Sequence, residues 1–343
     1  MTILELLLQQ MINCKFITNE YPPMINGGAG TYAAEITKTE GVNYEVFCPN
    51  NEETYGYNFS KTGLRELVHL YHLNNFSRAP GDLVHANGFS GYSYLGKKPL
   101  VVTIHHVITD ANLRSFFLRQ KQKISAKKAD KVITHSKYSK KEIIEHFNIS
   151  DKKKIEVIPL GASIEFLEEK PSYSEPKFIL VPNGVREERK RLDYVIDVVS
   201  EADINKIVTT GDINSKIAKK YKKKCSKLDI KLENKGFISK EKLKKLYREA
   251  YALGFPSTQE SFGLVVLESM ASGTPPLVRG GAPAEILNYK CGIKGEDKEK
   301  WRKYLNELEK NYQKEAKNSI EQAKNFSWDS TRNKTKSVYN KII

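Results

Sequence analysis

The chain has 343 residues, twice the ~150-residue size at which a single hydrophobic core is typical, so two domains are expected. Its hydrophobic fraction of 39% and charged fraction of 28% exclude a disordered chain and indicate a folded, enzyme-sized protein. The net charge of +15 favours anionic partners such as nucleic acid, a phospholipid surface or a phosphorylated small molecule.

The cysteine pattern and the N-terminal residues indicate the cellular compartment in which we expect the protein. The four cysteines are Cys14, Cys48, Cys225 and Cys291. They form no CxxC pair and lack the close spacing of a zinc site or a disulfide framework, so we expect a cytoplasmic protein. The apolar run 3–8 is far shorter than the ~20 residues that span a bilayer, and it lacks the features of a secretory signal. We therefore treat residues 1–10 as an extension.

In the first half, short apolar runs rich in β-branched residues alternate with amphipathic stretches, as parallel strands alternate with covering helices. The predicted strands are 14–18, 45–48, 83–86, 100–104, 132–134 and 156–159. Predicted helices include 114–128 and 140–147. The stretch 168–177, which contains Pro171 and Pro176, interrupts the pattern and is predicted to be a linker.

The same alternation begins again after the linker. The predicted strands are 178–182, 206–209, 230–232, 252–255 and 276–279. The predicted helices are 192–201, a lysine-rich helix ending near 227, 240–251, and one that begins near Phe262. Two successive α/β units predict two doubly wound domains with a cleft between them, where ligands lie at the carboxyl ends of the strands.

The most informative segment is 256–275. A predicted strand ends at Pro256, a turn carries Glu260 outward, and the next helix contains Glu268. A helix start that faces a cleft can bind a diphosphate through its backbone N–H groups, and Gly263 permits close approach. Glu260 could accept hydrogen bonds from sugar hydroxyls and Glu268 from a ribose. A solvated loop carboxylate and an ordinary helix-surface glutamate are the alternative interpretation.

Seven residues separate the two glutamates, and the segment resembles the EX7E motif of glycosyltransferase family 4, a group of retaining transferases with the GT-B fold. The resemblance implies that Glu260 contacts the donor sugar and that Glu268 holds the ribose. It also implies donor contacts for Ser261, Phe262 and Gly263. Ser261 stands where the family commonly has glycine.

Residues 182–191 follow the first strand of the second half and lead into a helix. A fixed cation there would neutralise the charge that accumulates on a departing β-phosphate. The segment is similar to the family segment that supplies an arginine and a later lysine for this purpose. Lys190 matches the lysine, whereas Val185 occupies the arginine's place, so either Arg186 or Arg189 substitutes or the diphosphate is held less strongly than in the family. A charged helix start bonded to solvent is the alternative.

Two features of the first half complete the predicted site. Gly27 and Gly28 lie between a strand and a helix, and the resemblance implies a loop that faces the diphosphate. The predicted strand 100–104 ends in His105 and His106. By the resemblance, His105 lies beside the donor sugar and stabilises an oxocarbenium-like transition state, whereas His106 replaces a frequent aspartate. A purely structural histidine is the alternative.

The sequence therefore predicts an α/β protein of the GT-B fold, with two Rossmann-like doubly wound domains facing a central cleft. The predicted divisions are an acceptor-side domain at 1–170, a nucleotide-sugar domain at 171–322, and a segment at 323–343 that crosses back to the first domain.

The expected function is that of a retaining hexosyltransferase, which moves a sugar from a nucleotide-diphosphate sugar to a carbohydrate or lipid-linked acceptor. No metal or other cofactor is expected, because cationic residues neutralise the leaving group. The basic charge predicts peripheral association with the inner face of an anionic membrane. No nucleic-acid partner is expected, because the lysine run 216–227 has only Tyr221 among its cations. The alternatives are a GT-B nucleotide-sugar epimerase and a basic nucleic-acid-binding protein on a Rossmann-like scaffold.

Overall fold

A computed structural model describes residues 11–343 except 24, 26, 49–74, 77, 110–111, 168–170, 187, 259 and 289–290. The predicted extension 1–10 and part of the predicted linker, residues 168–170, lie outside the described residues. The chain divides into two compact units. The first unit runs up to Leu160 and also contains Trp328–Ile343, and the second is Gly161–Ser327.

The first unit is built on a sheet of six parallel strands in the order β2-β1-β3-β4-β5-β6. The strands are β1 (Ile12–Ile17), β2 (Val42–Phe47), β3 (Leu83–Asn87), β4 (Leu100–Thr103), β5 (Lys131–Thr134) and β6 (Ile155–Val157). Every residue of β3 and β4 is buried, as expected for central strands covered on both faces. The helices are α1 (Gly28–Ile36), α2 (Leu113–Lys128), α3 (Lys137–Phe147) and the last helix of the chain, α9 (Trp328–Asn340).

Helix α9 is fastened to the first unit by a buried polar chain. The Tyr339 hydroxyl lies 2.6 Å from Nδ1 of His85, whose Nε2 lies 2.7 Å from the Thr103 hydroxyl. The Tyr32 hydroxyl completes the chain at 3.1 Å from the same threonine. Because buried polar groups are costly without partners, this chain fixes α9 against β3, β4 and α1.

The second unit has its own sheet of six parallel strands, in the order β12-β11-β10-β7-β8-β9. The strands are β7 (Ile179–Pro182), β8 (Lys206–Thr210), β9 (Lys231–Asn234), β10 (Ala252–Phe255), β11 (Pro276–Val278) and β12 (Ile293–Lys294). The helices are α4 (Leu192–Val199), α5 (Ser215–Ser226), α6 (Lys240–Glu249), α7 (Leu264–Ala271) and α8 (Lys298–Ala323).

Each predicted strand is present, with ends that differ by up to three residues. Strand β12 and the long helix α8 are additional to the elements predicted from the sequence. Strand β12 has only two residues, too few for a periodic pattern to be visible. Helix α8 buries Trp301, Leu305 and Tyr312 in the core of the second unit.

Strand order reverses once in each sheet, between β1 and β3 in the first unit and between β7 and β10 in the second. At such a switch point the loops after the two strands lead to opposite faces, which leaves a crevice at their carboxyl ends. The loops after β7 and β10 carry Lys190 and Glu260. In the first unit, Gly27 lies in the loop after β1, and Asn87 ends β3.

Candidate active site

The loops after β7 and β10 are joined at the switch point of the second unit. The Thr258 N–H donates to the Arg189 carbonyl oxygen at 3.1 Å. The loop after β7 uses left-handed backbone conformations at Asn183, with φ of 57°, and at Arg191, with φ of 52°. Between these two positions, Arg189 and Lys190 lie beside Glu260.

Glu260 is the centre of a charged cluster. Its Oε1 accepts hydrogen bonds from Lys190 Nζ at 2.5 Å, Arg189 Nη1 at 3.1 Å and Ser257 Oγ at 2.9 Å. The Lys190 and Glu260 side chains are only 12% and 19% exposed, whereas Arg189 is 37% exposed. Lys190 and Arg189 both contact this carboxylate, so the cluster brings fixed positive charge to a place where an anionic ligand could bind.

Burial raises the pKa of Glu260, but the charges of Lys190 and Arg189 and the hydrogen bonds of Lys190 and Ser257 outweigh it. The net effect holds the pKa below its ordinary value. Glu260 is therefore ionised at neutral pH and serves as a hydrogen-bond acceptor.

Helix α7 begins directly after this cluster, as the segment 256–275 predicted, at Leu264 rather than Phe262. Its N-cap residue, Gly263, has φ of 99° and provides no side-chain cap. A Cβ at this position would lie 3.0 Å from Cβ of Pro283, so both the backbone conformation and the packing require glycine. The helix start thus lacks a side-chain cap, which suits an anion-binding terminus.

The two residues before Gly263 differ in burial. Phe262 is buried, and its ring packs edge-on against Phe326 with centroids 5.9 Å apart. The side chain of Phe262 is therefore part of the protein interior. A donor contact to Phe262 would be made by its backbone. Ser261 is partly exposed.

Glu268 lies further along α7. Its Oε2 accepts a hydrogen bond from the Tyr247 hydroxyl at 3.2 Å. Removal of its carboxyl from water raises the pKa of Glu268 to about 7, although the Tyr247 hydrogen bond and the Lys240 charge act in the opposite direction. Glu268 is the second glutamate of the predicted pair, and it is half ionised near neutral pH.

We expect the Glu268→Gln variant to gain stability relative to the native chain as pH rises. The folded pKa is about 7 and the ordinary value is 4.5, so the native chain loses stability between those two pH values. The difference should reach about 2 to 3 kcal/mol at pH 8 and vanish near pH 4.5. Urea unfolding at both pH values measures it, with the exposed Glu241→Gln as control. Equal differences at the two pH values would contradict the shifted pKa.

The residues considered for the place of the family arginine differ in burial and contacts. Val185, at the arginine's place, is 2% exposed and belongs to the core of the second unit. Arg186 is exposed, and the arginine that contacts Glu260 is Arg189. The short 3₁₀ helix Glu188–Lys190 presents Arg189 and Lys190 together, a local geometry that sequence spacing did not reveal.

In the first unit, the predicted glycines Gly27 and Gly28 are exposed at the start of α1. A Cβ at Gly27 would meet no atom within 4 Å, so this position is open to solvent. Gly30 differs, because a Cβ there would lie 2.9 Å from Oε2 of Glu20. The exposed pair could approach a ligand, whereas a side chain at Gly30 would press on Glu20 and Ile25.

His105 lies at the end of β4 and contacts Asn87. Its Nε2 is 2.6 Å from Asn87 Oδ1. The Asn87 amide nitrogen donates to Thr18 Oγ1 at 3.1 Å and to the Ala29 carbonyl oxygen at 3.2 Å. Asn87, which was not predicted as a site residue, joins the end of β1, the start of α1 and His105.

A second histidine, also without a predicted role, completes the arrangement. His135 Nε2 lies 3.0 Å from His105 Nδ1, and His135 Nδ1 lies 3.0 Å from the Ile158 carbonyl oxygen. His135 follows β5 just as His105 follows β4, and neighbouring parallel strands end at the same edge. A histidine at the end of each of two neighbouring strands was the sequence signal that could have identified His135. His106, by contrast, is exposed.

The hydrogen bonds from Asn87 through His105 and His135 to Ile158 require three protons. Both ends are acceptors, since the Asn87 amide is oriented by the Ala29 carbonyl oxygen and a carbonyl oxygen accepts at Ile158. Three contacts therefore need three N–H protons, whereas two neutral imidazoles supply two. The full set of hydrogen bonds forms only when the His105–His135 pair carries one positive charge.

Burial works against that extra proton. It is the largest cause that lowers the pKa of His135 to about 4, and it lowers the pKa of His105 well below its ordinary value. The charges of neighbouring histidines lower the pKa of His105 further. Hydrogen bonding favours the charged form of the pair, whereas burial favours the neutral form. An anion bound nearby would add to the first effect, and it would therefore favour uptake of the third proton.

Comparison with known families identifies the class of this fold. Residues 26–166 match the family model described as Glycosyltransferase Family 4, and residues 163–326 match Glycosyl transferases group 1. Together the two matches extend over most of the chain. The chain belongs to this glycosyltransferase family, and its two parallel-sheet α/β units have the GT-B fold.

Particular relatives agree with this class. An uncharacterized glycosyltransferase of Methanocaldococcus jannaschii is 26% identical over 303 residues, which is 82% of either chain. A D-inositol 3-phosphate glycosyltransferase of Corynebacterium diphtheriae is 35% identical over 106 residues, 29% of this chain. That match spans 25% of the relative's length. The Anabaena protein HepE, solved with UDP-glucose, has a TM-score of 0.79 at 18% identity, over 96% of this chain and 100% of its own.

Proposed function

We propose that this glycosyltransferase takes its sugar from a nucleotide-diphosphate sugar and transfers it with retention of anomeric configuration. The observation that carries the proposal is the convergence of Lys190 and Arg189 on Glu260, beside the uncapped start of α7. A diphosphate leaving group needs fixed positive charge in a site partly removed from water, and this cluster supplies it. The chemistry of leaving-group stabilisation therefore fits the residues of the second unit.

Each residue has a distinct proposed role. Lys190, Arg189 and the first N–H groups of α7 bind the diphosphate, with Gly263 permitting close approach. Glu260 accepts hydrogen bonds from the donor sugar, and Glu268 accepts them from the ribose hydroxyls. We retain a donor contact for Ser261, and we assign the role predicted for Arg186 to Arg189.

In the first unit, we propose that Gly27 and Gly28 approach the diphosphate through their backbone. His105 orients the donor sugar, and the positive charge of the His105–His135 pair compensates the negative charge that develops on the leaving diphosphate. Asn87 fixes the ring of His105 through the 2.6 Å contact.

The proposed reaction is a displacement on one face of the sugar. The bond between the anomeric carbon and the β-phosphate oxygen breaks, and the acceptor oxygen bonds to the same carbon from the same side. The acceptor's proton passes to the leaving phosphate oxygen, so the protein need not supply a nucleophilic carboxylate. Glu260 fits this scheme because its carboxylate is held in ion pairs with Lys190 and Arg189, so it serves as a binding group and not as a nucleophile.

The relatives suggest which donors to test first. HepE was solved in complex with UDP-glucose, which makes uridine diphosphate sugars the first candidates. We propose a hexose as the transferred group and a carbohydrate or a lipid-linked sugar as the acceptor. A lipid-linked acceptor would place the enzyme at the inner face of a membrane, consistent with its net charge of +15.

Thermal denaturation with UDP, GDP, ADP and their sugars tests the donor. Binding to the folded form at ~100 times Kd adds about 2.7 kcal/mol of stability, so one nucleotide series should raise Tm by several degrees. The Glu260→Gln variant should then be compared with the native enzyme in a transfer assay, with the product anomer read by NMR. Native-like transfer by this variant, or an inverted product, would overturn the proposal. Conversion of the donor without an acceptor would instead identify an epimerase.

A further inference from the structure

Helix α2, at Leu113–Lys128, presents its apolar side chains to solvent. Leu113 is 72% exposed, Phe117 is 56% exposed and Ile124 is 43% exposed. These positions are four and seven residues apart, so they follow one face of the helix. Phe116 widens this stripe, with its ring centroid 5.7 Å from that of Phe117. We call these four residues the apolar stripe of α2.

The opposite face of α2 holds the helix to the first unit through small and polar side chains. Its buried residues are Ser115, Gln122, Ser125 and Ala126. Gln122 Nε2 donates to the His106 carbonyl oxygen at 2.8 Å, and Ser125 Oγ donates to the Phe89 carbonyl oxygen at 2.7 Å. The usual amphipathic pattern is inverted, since polar residues face the protein and apolar residues face outward. The hydrogen bonds fix this orientation.

Positive charge surrounds the stripe. Helix α2 contains six cations and no acidic residue in its 16 residues. The cations are Arg114, Arg119, Lys121, Lys123, Lys127 and Lys128. On a helical projection they lie on both sides of the stripe, where their alkyl stems can extend alongside the apolar groups. An apolar band between two rows of cations matches a surface with an apolar interior and anionic headgroups.

We propose that α2 is a docking helix for an anionic lipid bilayer, with the apolar stripe among the acyl chains and the flanking cations on the headgroups. The proposal deepens the proposed function, because it rests on a lipid-linked acceptor and names the surface that meets its membrane. No helix in the described part of the chain is long and apolar enough to cross a bilayer. The contact proposed for α2 is peripheral.

Charge favours a bilayer over a second copy of the chain. In a symmetric dimer through α2, the same six cations of each copy would face each other, on protomers that each carry a net charge of +15. Nucleic acid would satisfy the cations and leave Leu113, Phe116 and Phe117 in water. A bilayer that contains anionic lipid satisfies both parts of the surface.

Cosedimentation of the full-length protein with phosphatidylcholine vesicles, with and without phosphatidylglycerol, tests the proposal. We expect binding to the anionic vesicles that weakens at ~0.5 M salt. The paired substitution Phe116→Ser with Phe117→Ser should reduce partitioning at least tenfold, and Lys123→Gln with Lys127→Gln should reduce it by a similar factor. The matched controls lie on the second unit. They are Phe237→Ser, at a 78% exposed site, and Lys222→Gln with Lys223→Gln on α5.

A direct readout comes from Phe117→Trp, whose fluorescence should shift to the blue on anionic vesicles, whereas Phe237→Trp should not respond. Equal partitioning of the native protein and the α2 variants, or equal loss in the controls, would overturn the proposal. So would a native dimer that the phenylalanine substitutions convert to monomer while vesicle binding persists. Nucleotide binding by the α2 variants separates this test from the proposed function, because we expect it to be unchanged.

Discussion

Replacing Lys190 by methionine is expected to lower kcat/KM for sugar transfer by two to three orders of magnitude. The lysine is only 12% exposed, and in the proposed reaction it faces the charge that develops on the departing diphosphate. Removing one fixed donor from such a position typically costs about 3 to 4 kcal/mol of transition-state stabilisation. Steady-state kinetics with the donor identified by thermal denaturation measures the loss, and calorimetry separates it from weaker nucleotide binding.

Two further variants show whether the loss reflects catalysis or disruption of the fold. Lys220→Met removes a lysine that pairs with Glu188 at 2.9 Å on the surface, and we expect its kinetics to match the native enzyme. The double variant Lys190→Met with Glu260→Gln removes both charges of the buried pair, so it should fold without an uncompensated carboxylate. If the double variant folds and transfers sugar at the native rate, the role given to this cluster is wrong.

The second large effect is expected at the histidine chain of the first unit. His105→Ala should lower kcat about 100-fold, because it removes the group proposed to stabilise the transition state. His135→Phe should lower kcat/KM about tenfold or more, since His105 Nδ1 loses the partner that lies at 3.0 Å. His135 is a positioning residue in this scheme, because it acts through His105.

The pH profile distinguishes positioning from a merely structural role. If the active pair carries the third proton, native activity should fall towards high pH as the pair loses it, and His135→Phe, which keeps only His105, should show this fall at a different pH. The other titratable groups around the pair are Tyr32, His85 and His106. His135→Gln should restore part of the rate by keeping a polar partner, and the exposed His146→Phe should behave as native. Parallel pH profiles for native enzyme and His135→Phe would refute proton sharing.

The fold was largely predictable because most strands are short apolar runs, and their ends could be located closely. Three candidate residues follow the ends of such strands, and this position identified them from the sequence alone. They are Lys190, Glu260 and His105. Their mutual contacts were not predictable. The ion pair of Lys190 with Glu260 joins two loops, and one of them has left-handed backbone at Asn183 and Arg191 that the residue types do not specify.

Strand order limited the prediction in the first unit. The contact between His105 and His135 requires β4 and β5 to be neighbours, and sequence order alone does not establish adjacency. Asn87 was missed for the same reason, since its partners come from the loop after β1, the start of α1 and the end of β4. Arg189 was distinguished from Arg186 only by the three-residue turn that presents it.

Because α9 returns to the first unit, the second unit is a continuous insertion within the other fold. Its two ends lie side by side, since the Ala162 N–H donates to the Phe326 carbonyl oxygen at 3.0 Å and Ala162 bridges Ser327. Adjacent ends make this unit a cassette that gene fusion can exchange between relatives at two neighbouring joints. A lineage could thereby change the half that carries Lys190 and Glu260 while keeping helix α2 and the histidine chain intact.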